Sequence, residues 1–178
     1  MSKAGRKPLA TPNRNLPVIV GLALGSLALF ALAAWTLKPG TTYGESNEPV
    51  VINGTAVPPV PALVVERVAA GEKLYTQYCA ACHGARLEGA PNWKQPLPTG
   101  SYPPPPHDTS GHTWHHPDAQ LLQITANGGD PAYNGTMPGF STIMTVDQMS
   151  TIFDFIKSHW GREEREYQWW ISVTAAGR

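Results

Sequence analysis

Two thiols and an imidazole lie within five residues, Cys79-Ala80-Ala81-Cys82-His83, and these are the only cysteines of the chain. A zinc site would use both thiolates and the ring, but it needs a fourth ligand, and no second CxxC or paired-histidine spacing clearly supplies one. A thioredoxin-like redox pair belongs in a βαβ setting, which the sequence lacks. A disulfide between cysteines this close on a helix is poorly placed. The remaining chemistry is attachment of a c-type haem. Positions i, i+3 and i+4 share a helix face, so Cys79 and Cys82 can both reach the porphyrin vinyl groups as thioethers. His83 then points a ring nitrogen at the iron from the same side. One covalently bound haem c is therefore expected, and its apolar surface would compensate for a small protein core.

The elements that must position this motif follow from periodicity. Val68, Gly71, Tyr75, Tyr78, Cys79 and Cys82 recur at three- and four-residue steps, which predicts a helix from Arg67 to about Ala81. Residues 84–112 read as loop, with Pro91, Pro96, Pro98 and the run Pro103 to Pro106. A short helix is expected near Pro117, continuing through Leu121, Leu122 and Ile124 and stopping at Gly128-Gly129. Thr145 and Gln148 form a capping-box pattern that opens a last helix. Met149, Ile152, Phe153, Ile156 and Trp160 line its inner face, and Gly161 is its expected stop. No strand of useful length and no repeat is legible, so the fold class is all-α.

Toward the N-terminus, Leu16 to Leu37 is an uncharged run of 22 residues. As a helix it would reach about 33 Å, enough to cross a hydrocarbon core. A cleaved signal peptide is the competing reading, because Ala31-Leu32-Ala33 resembles a cleavage site, but signal cores are shorter. Lys3, Arg6, Lys7 and Arg14 precede the run without any acid, which keeps residues 1–15 cytoplasmic and sends the rest across. Residues 16–37 are thus expected to be a single-pass anchor, with the folded part on the periplasmic side of the cytoplasmic membrane. Residues 38–65 read as a flexible proline- and glycine-bearing linker, and the Asn53-Gly54-Thr55 sequon within it as a chance match.

Formal charge sums to zero over the chain, yet from Glu66 onward 8 Lys/Arg face 11 Asp/Glu. A folded part at −3 has no basic face for nucleic acid and little for lysine-steered docking.

The pattern Gly71-x-x-x-Tyr75-x-x-x-Cys79-x-x-Cys82-His83-Gly84 resembles the first helix of class I monohaem cytochromes c, of the membrane-anchored bacterial type. Ile152 and Phe155 match the apolar and aromatic pair of the helix that crosses it in that family. The resemblance covers residues 66–160 and leaves 161–178 as a C-terminal tail. It implies three main helices around one haem, with a methionine from the loop before the last helix as second axial ligand. Met137, in Gly135-Thr136-Met137-Pro138-Gly139-Phe140, resembles the family's ligand loop, with Met144 as the alternative. It also implies a proline carbonyl that accepts the other N–H of His83, with Pro96 the first choice and Pro91 the second.

His107, His112, His115 and His116 cluster in one loop and His159 ends the last helix; they are expected to hydrogen-bond or pack, with Trp114 buried beside them. The Trp169-Trp170 pair in the tail is expected to pack back onto the domain or lie at the membrane surface, with docking to a larger complex as the sharper alternative. The resulting expectation is a non-enzymatic, membrane-tethered carrier of single electrons in a respiratory or photosynthetic chain, with redox proteins or a membrane complex as partners and no small-molecule substrate. A haem-based redox or gas sensor is the alternative.

Overall fold

The computed structural model describes residues 47–177. The anchor expected at 16–37 lies outside the described residues, and no described helix is long and apolar enough to cross a membrane.

The first elements among the described residues form an antiparallel hairpin, β1 (Val50–Ile52) and β2 (Thr55–Val57), in which Val50 pairs with Val57. Its two-residue turn is Asn53-Gly54, both with positive φ, 52° and 76°. That pair suits the mirror-image turn that matches strand twist. The expected flexible linker over 38–65 is therefore corrected from residue 50 onward. Two three-residue strands are too short for alternation to be read from sequence, and the Asn-Gly turn signal is a single dipeptide among many prolines and glycines.

Helix α1 (Val65–Tyr78) follows, then a one-residue break at Cys79 and the short α2 (Ala80–His83). Helix α3 spans Asp118–Asn127, α4 spans Val146–Lys157 and α5 spans Arg162–Ala176. Two 3-10 turns, Thr113–His115 and Pro131–Tyr133, lie in the connections. Pro117 caps α3 from outside rather than opening its first turn, and the helix stops at Gly128. Thr145 caps α4, and both bonds of its capping box form: Gln148 N–H to Thr145 Oγ1 at 3.2 Å and Thr145 N–H to Gln148 Oε1 at 2.9 Å.

Helices α1 and α4 cross at Gly71. A Cβ there would stand 2.9 Å from Phe155 Cβ and would overlap the Thr151 carbonyl oxygen. Around this crossing Tyr75, Met149, Ile152, Phe155 and Ile156 form the core, joined by Leu87, Leu121, Phe140 and Met144. Arg67 on α1 bridges Asp147 and Asp154 on α4 at 3.0 and 2.6 Å. The Asp147 bond is exposed and the Asp154 bond part-buried, so the pair orients the crossing more than it stabilises it.

The tail is not a loose end. Gly161, expected to end the previous helix, instead caps α5. This helix pins the hairpin and the strap after it. Trp169 Nε1 donates to the Pro58 carbonyl at 2.8 Å and Trp170 Nε1 to the Thr55 carbonyl at 3.0 Å. The buried Arg165 donates to the Pro61 carbonyl at 2.9 Å. Gln168 Nε2 reaches Asp118 Oδ1 at 2.7 Å, tying α5 to the start of α3. Replacing Trp170 by phenylalanine keeps the ring and removes one donor. The expected result is a loss of about 1 kcal/mol, read as faster amide exchange in the hairpin while α1 and α4 keep their protection.

Candidate haem site

The motif straddles the break in α1. Cys79 has φ −117° and ψ −36°, and its carbonyl accepts from both Cys82 N–H (3.1 Å) and His83 N–H (2.9 Å). Cys79 thus sits at the break itself and Cys82 one turn on within α2, which the three-residue spacing alone did not reveal. Both are free; Cys79 is half-buried and Cys82 exposed. Burial, with Cys82 adding to it, pushes the Cys79 thiol up to about 11. In the absence of a bound metal, such a thiol disfavours its thiolate form. An uncharged thioether suits the same surroundings. Among the described residues, no group of three or more His, Cys, Asp or Glu is placed to hold a metal ion directly.

His83 is 8% exposed, and its Nδ1 lies 2.8 Å from the Pro105 carbonyl oxygen. A carbonyl only accepts, so Nδ1 carries the proton and Nε2 keeps its lone pair. Burial draws the imidazole below its usual range, against the opposing pull of that carbonyl. The side chain is therefore a neutral base with one fixed tautomer, which is the form an iron ligand needs.

The carbonyl is that of Pro105, which corrects the expectations of Pro96 and Pro91. The reason is a surface excursion of the chain. Ala90 N–H bonds to the Pro104 carbonyl at 2.9 Å and closes the neck of a loop. Pro91, Pro96 and Pro98 all lie exposed within it. Only beyond the neck does the chain return beneath the motif, and it does so in the stiff run Pro103 to Pro106. Sequence proximity favoured the wrong prolines; the rigidity of the four-proline run was the available signal.

The loop carrying Met137 is built on the end of α3. Phe140 N–H and Ser141 N–H bond to the Thr125 and Ala126 carbonyls at 3.0 and 3.1 Å, and Gly129 N–H bonds to Met137 O at 2.9 Å. Phe140 meets Tyr78, the residue before Cys79, edge to face at 6.3 Å. This contact brings the loop to the motif. Met137 is half-buried against the core, whereas Met144 is 5% exposed and packed within it.

The remaining histidines go elsewhere. His107 stacks on His83, centroids 4.1 Å apart, so it lies beside the motif histidine rather than across from it. His112 stacks on Trp93 and His115 on Trp114. His116 Nδ1 faces Gln120 Oε1 at 3.3 Å, and His159 Nδ1 faces the Phe155 carbonyl at 3.0 Å. Trp114 is half-buried, with its Nε1 enclosed and without a hydrogen-bond partner. Pro105 and the fully buried Leu87 are residues near the site that sequence reasoning missed, whereas His107 hydrogen-bonds and packs as expected but against His83.

Paired thiols beside a neutral, tautomer-fixed imidazole, with apolar side chains around them, fit covalent haem. The comparison with curated proteins finds no match. Residues 68–160, more than half of the chain, match the family model described as Cytochrome c. The chain belongs to the cytochrome c family, whose members bind haem c covalently, and its Cys79 and Cys82 fit the attachment motif.

Proposed function

We infer that the protein is a membrane-tethered monohaem electron carrier, with Cys79 and Cys82 as the thioether residues and His83 and Met137 as the two axial ligands. The observation that carries this reading is the Nδ1 hydrogen bond of His83 to the Pro105 carbonyl, 2.8 Å, which leaves Nε2 as the only basic atom of that ring. The haem supplies one-electron cycling between ferrous and ferric iron. The protein's own residues then determine how that cycling behaves. Pro105 holds the imidazole, and Tyr75, buried with its hydroxyl bonded to the Gly84 carbonyl at 3.0 Å, braces the end of α2. A thioether from Met137 would fill the sixth position, favour the ferrous state and raise the potential. With both positions filled by side chains, no site remains for a small-molecule substrate.

Membrane attachment is supported by the uncharged run 16–37 with basic residues before it. That orientation puts the haem domain on the periplasmic side of the cytoplasmic membrane. Partners are then redox proteins or a membrane-bound respiratory or photosynthetic complex, met by an acidic rather than lysine-rich domain surface.

The test uses the matured full chain in mild detergent. Haem staining should survive a denaturing gel, the ferric protein should show the thioether-to-iron absorption band, and the reduced protein should fail to bind carbon monoxide. Absence of staining overturns the reading altogether. Rapid binding of carbon monoxide by the reduced wild-type protein would replace the carrier with a gas or redox sensor. Recovery in the soluble fraction without detergent would remove the tether.

A further inference from the structure

His107 is a polar ring in a place where an aliphatic side chain would pack. It lies against His83 with centroids 4.1 Å apart and ring planes 25° from parallel. Four contacts hold it there. Its amide N–H donates to the Leu87 carbonyl at 2.8 Å, and its own carbonyl accepts from Trp160 Nε1 at 2.8 Å. Its Nδ1 pairs with Thr113 Oγ1 at 2.8 Å, and Tyr75 meets it edge-on at 6.2 Å. Leu87, Trp160, Thr113 and Tyr75 are all themselves buried, between 0% and 7% exposed. A buried imidazole is costly unless bonded, and here the bonds serve to fix the plane of the ring.

The same turn of chain grips His83 twice. Pro105 supplies the carbonyl to Nδ1, and two residues later His107 supplies a flat surface to the ring face. A carbonyl acceptor tolerates a broad range of donor directions, so the hydrogen bond alone restrains rotation of the imidazole only loosely. A ring stacked on its face at 4.1 Å restrains that rotation more tightly.

We propose that His107 is a positioning residue that fixes the plane of the His83 imidazole where that ring would hold the haem iron. The inference rests on His83 being an axial ligand. In low-spin ferric haem the direction of a ligating imidazole plane, together with the orientation of the second ligand, influences which iron d orbital holds the unpaired electron. That choice sets the anisotropy of the electron-spin-resonance spectrum and the spread of the haem-methyl proton resonances. His107 would thus shape the electronic ground state without touching the iron.

The experiment compares the matured wild-type protein with His107→Leu, His107→Phe and Thr113→Val. His107→Leu removes the flat surface, and its g-anisotropy and haem-methyl spread are expected to shift while haem staining and the thioether band remain. His107→Phe restores a flat ring and should return both spectra toward wild type. Thr113→Val releases the Nδ1 contact and should move them in the same direction as His107→Leu, by less. This variant decides the question should His107→Leu fail to fold. Spectra superimposable on wild type for every folded variant would overturn the inference while leaving the carrier intact. Absence of haem staining or of the thioether band in the wild type would instead overturn the ligand assignment beneath it.

Discussion

Met137→Ala is expected to retain haem on a denaturing gel, to lose the thioether-to-iron band, and to bind carbon monoxide once reduced. The covalent bonds at Cys79 and Cys82 do not depend on the sixth ligand, so staining persists. Alanine offers no donor atom, and a vacant position on ferrous iron takes carbon monoxide readily. The potential should fall, because the soft sulfur that favoured the reduced state is gone. The matched control is Met144→Ala. Its side chain is 5% exposed within the core, so truncation should cost about 2–5 kcal/mol in stability and leave the band in place. An exchange of these two phenotypes would assign Met144 as the ligand and Met137 to packing.

Gly71→Ala is expected to destabilise the domain strongly, because the added methyl meets backbone at the helix crossing. The added carbon would overlap the Thr151 carbonyl oxygen and stand 2.9 Å from Phe155 Cβ, both on the facing helix. Neither can yield as the tip of a flexible side chain would. Helices α1 and α4 must move apart, and the packing of Tyr75, Ile152 and Phe155 loosens with them. Overpacking usually costs about 1–3 kcal/mol; with backbone as the obstacle, a loss of about 3 kcal/mol or more is expected. Chemical denaturation of the haem-loaded protein measures it. A loss below about 1 kcal/mol would mean that the crossing is softer than its contacts imply.

The contrast between these two positions shows what the sequence discloses. Gly71, Tyr75 and the cysteine pair were legible because helical spacing is local, and so were the capping residues Thr145 and Gln148. Met137 was singled out through the resemblance of its glycine-bounded Met-Pro loop to the family's ligand loop. Pro105 and His107 were not legible as partners of His83, since each acts on it across a chain excursion whose neck bond, Ala90 to Pro104, is a backbone contact with no side-chain signature. The hairpin was missed for a related reason. Its strands are three residues long, and what holds it is α5, more than a hundred residues away in sequence. Tertiary partners at that distance leave no periodic trace. The same holds for α5 itself, whose indoles and Arg165 are spent on carbonyls of the hairpin and strap.

That clamp also determines how the domain bears mechanical load. A pull on the chain at its first described residues is met by the hydrogen bonds of Trp169, Trp170 and Arg165 to the Pro58, Thr55 and Pro61 carbonyls. Those bonds would pass such a load into the last helix before it reached α1 and the bend that carries Cys79, Cys82 and His83. The extensions at the two ends of the family region act together as a strain relief, as a cable clamp does beside a soldered joint.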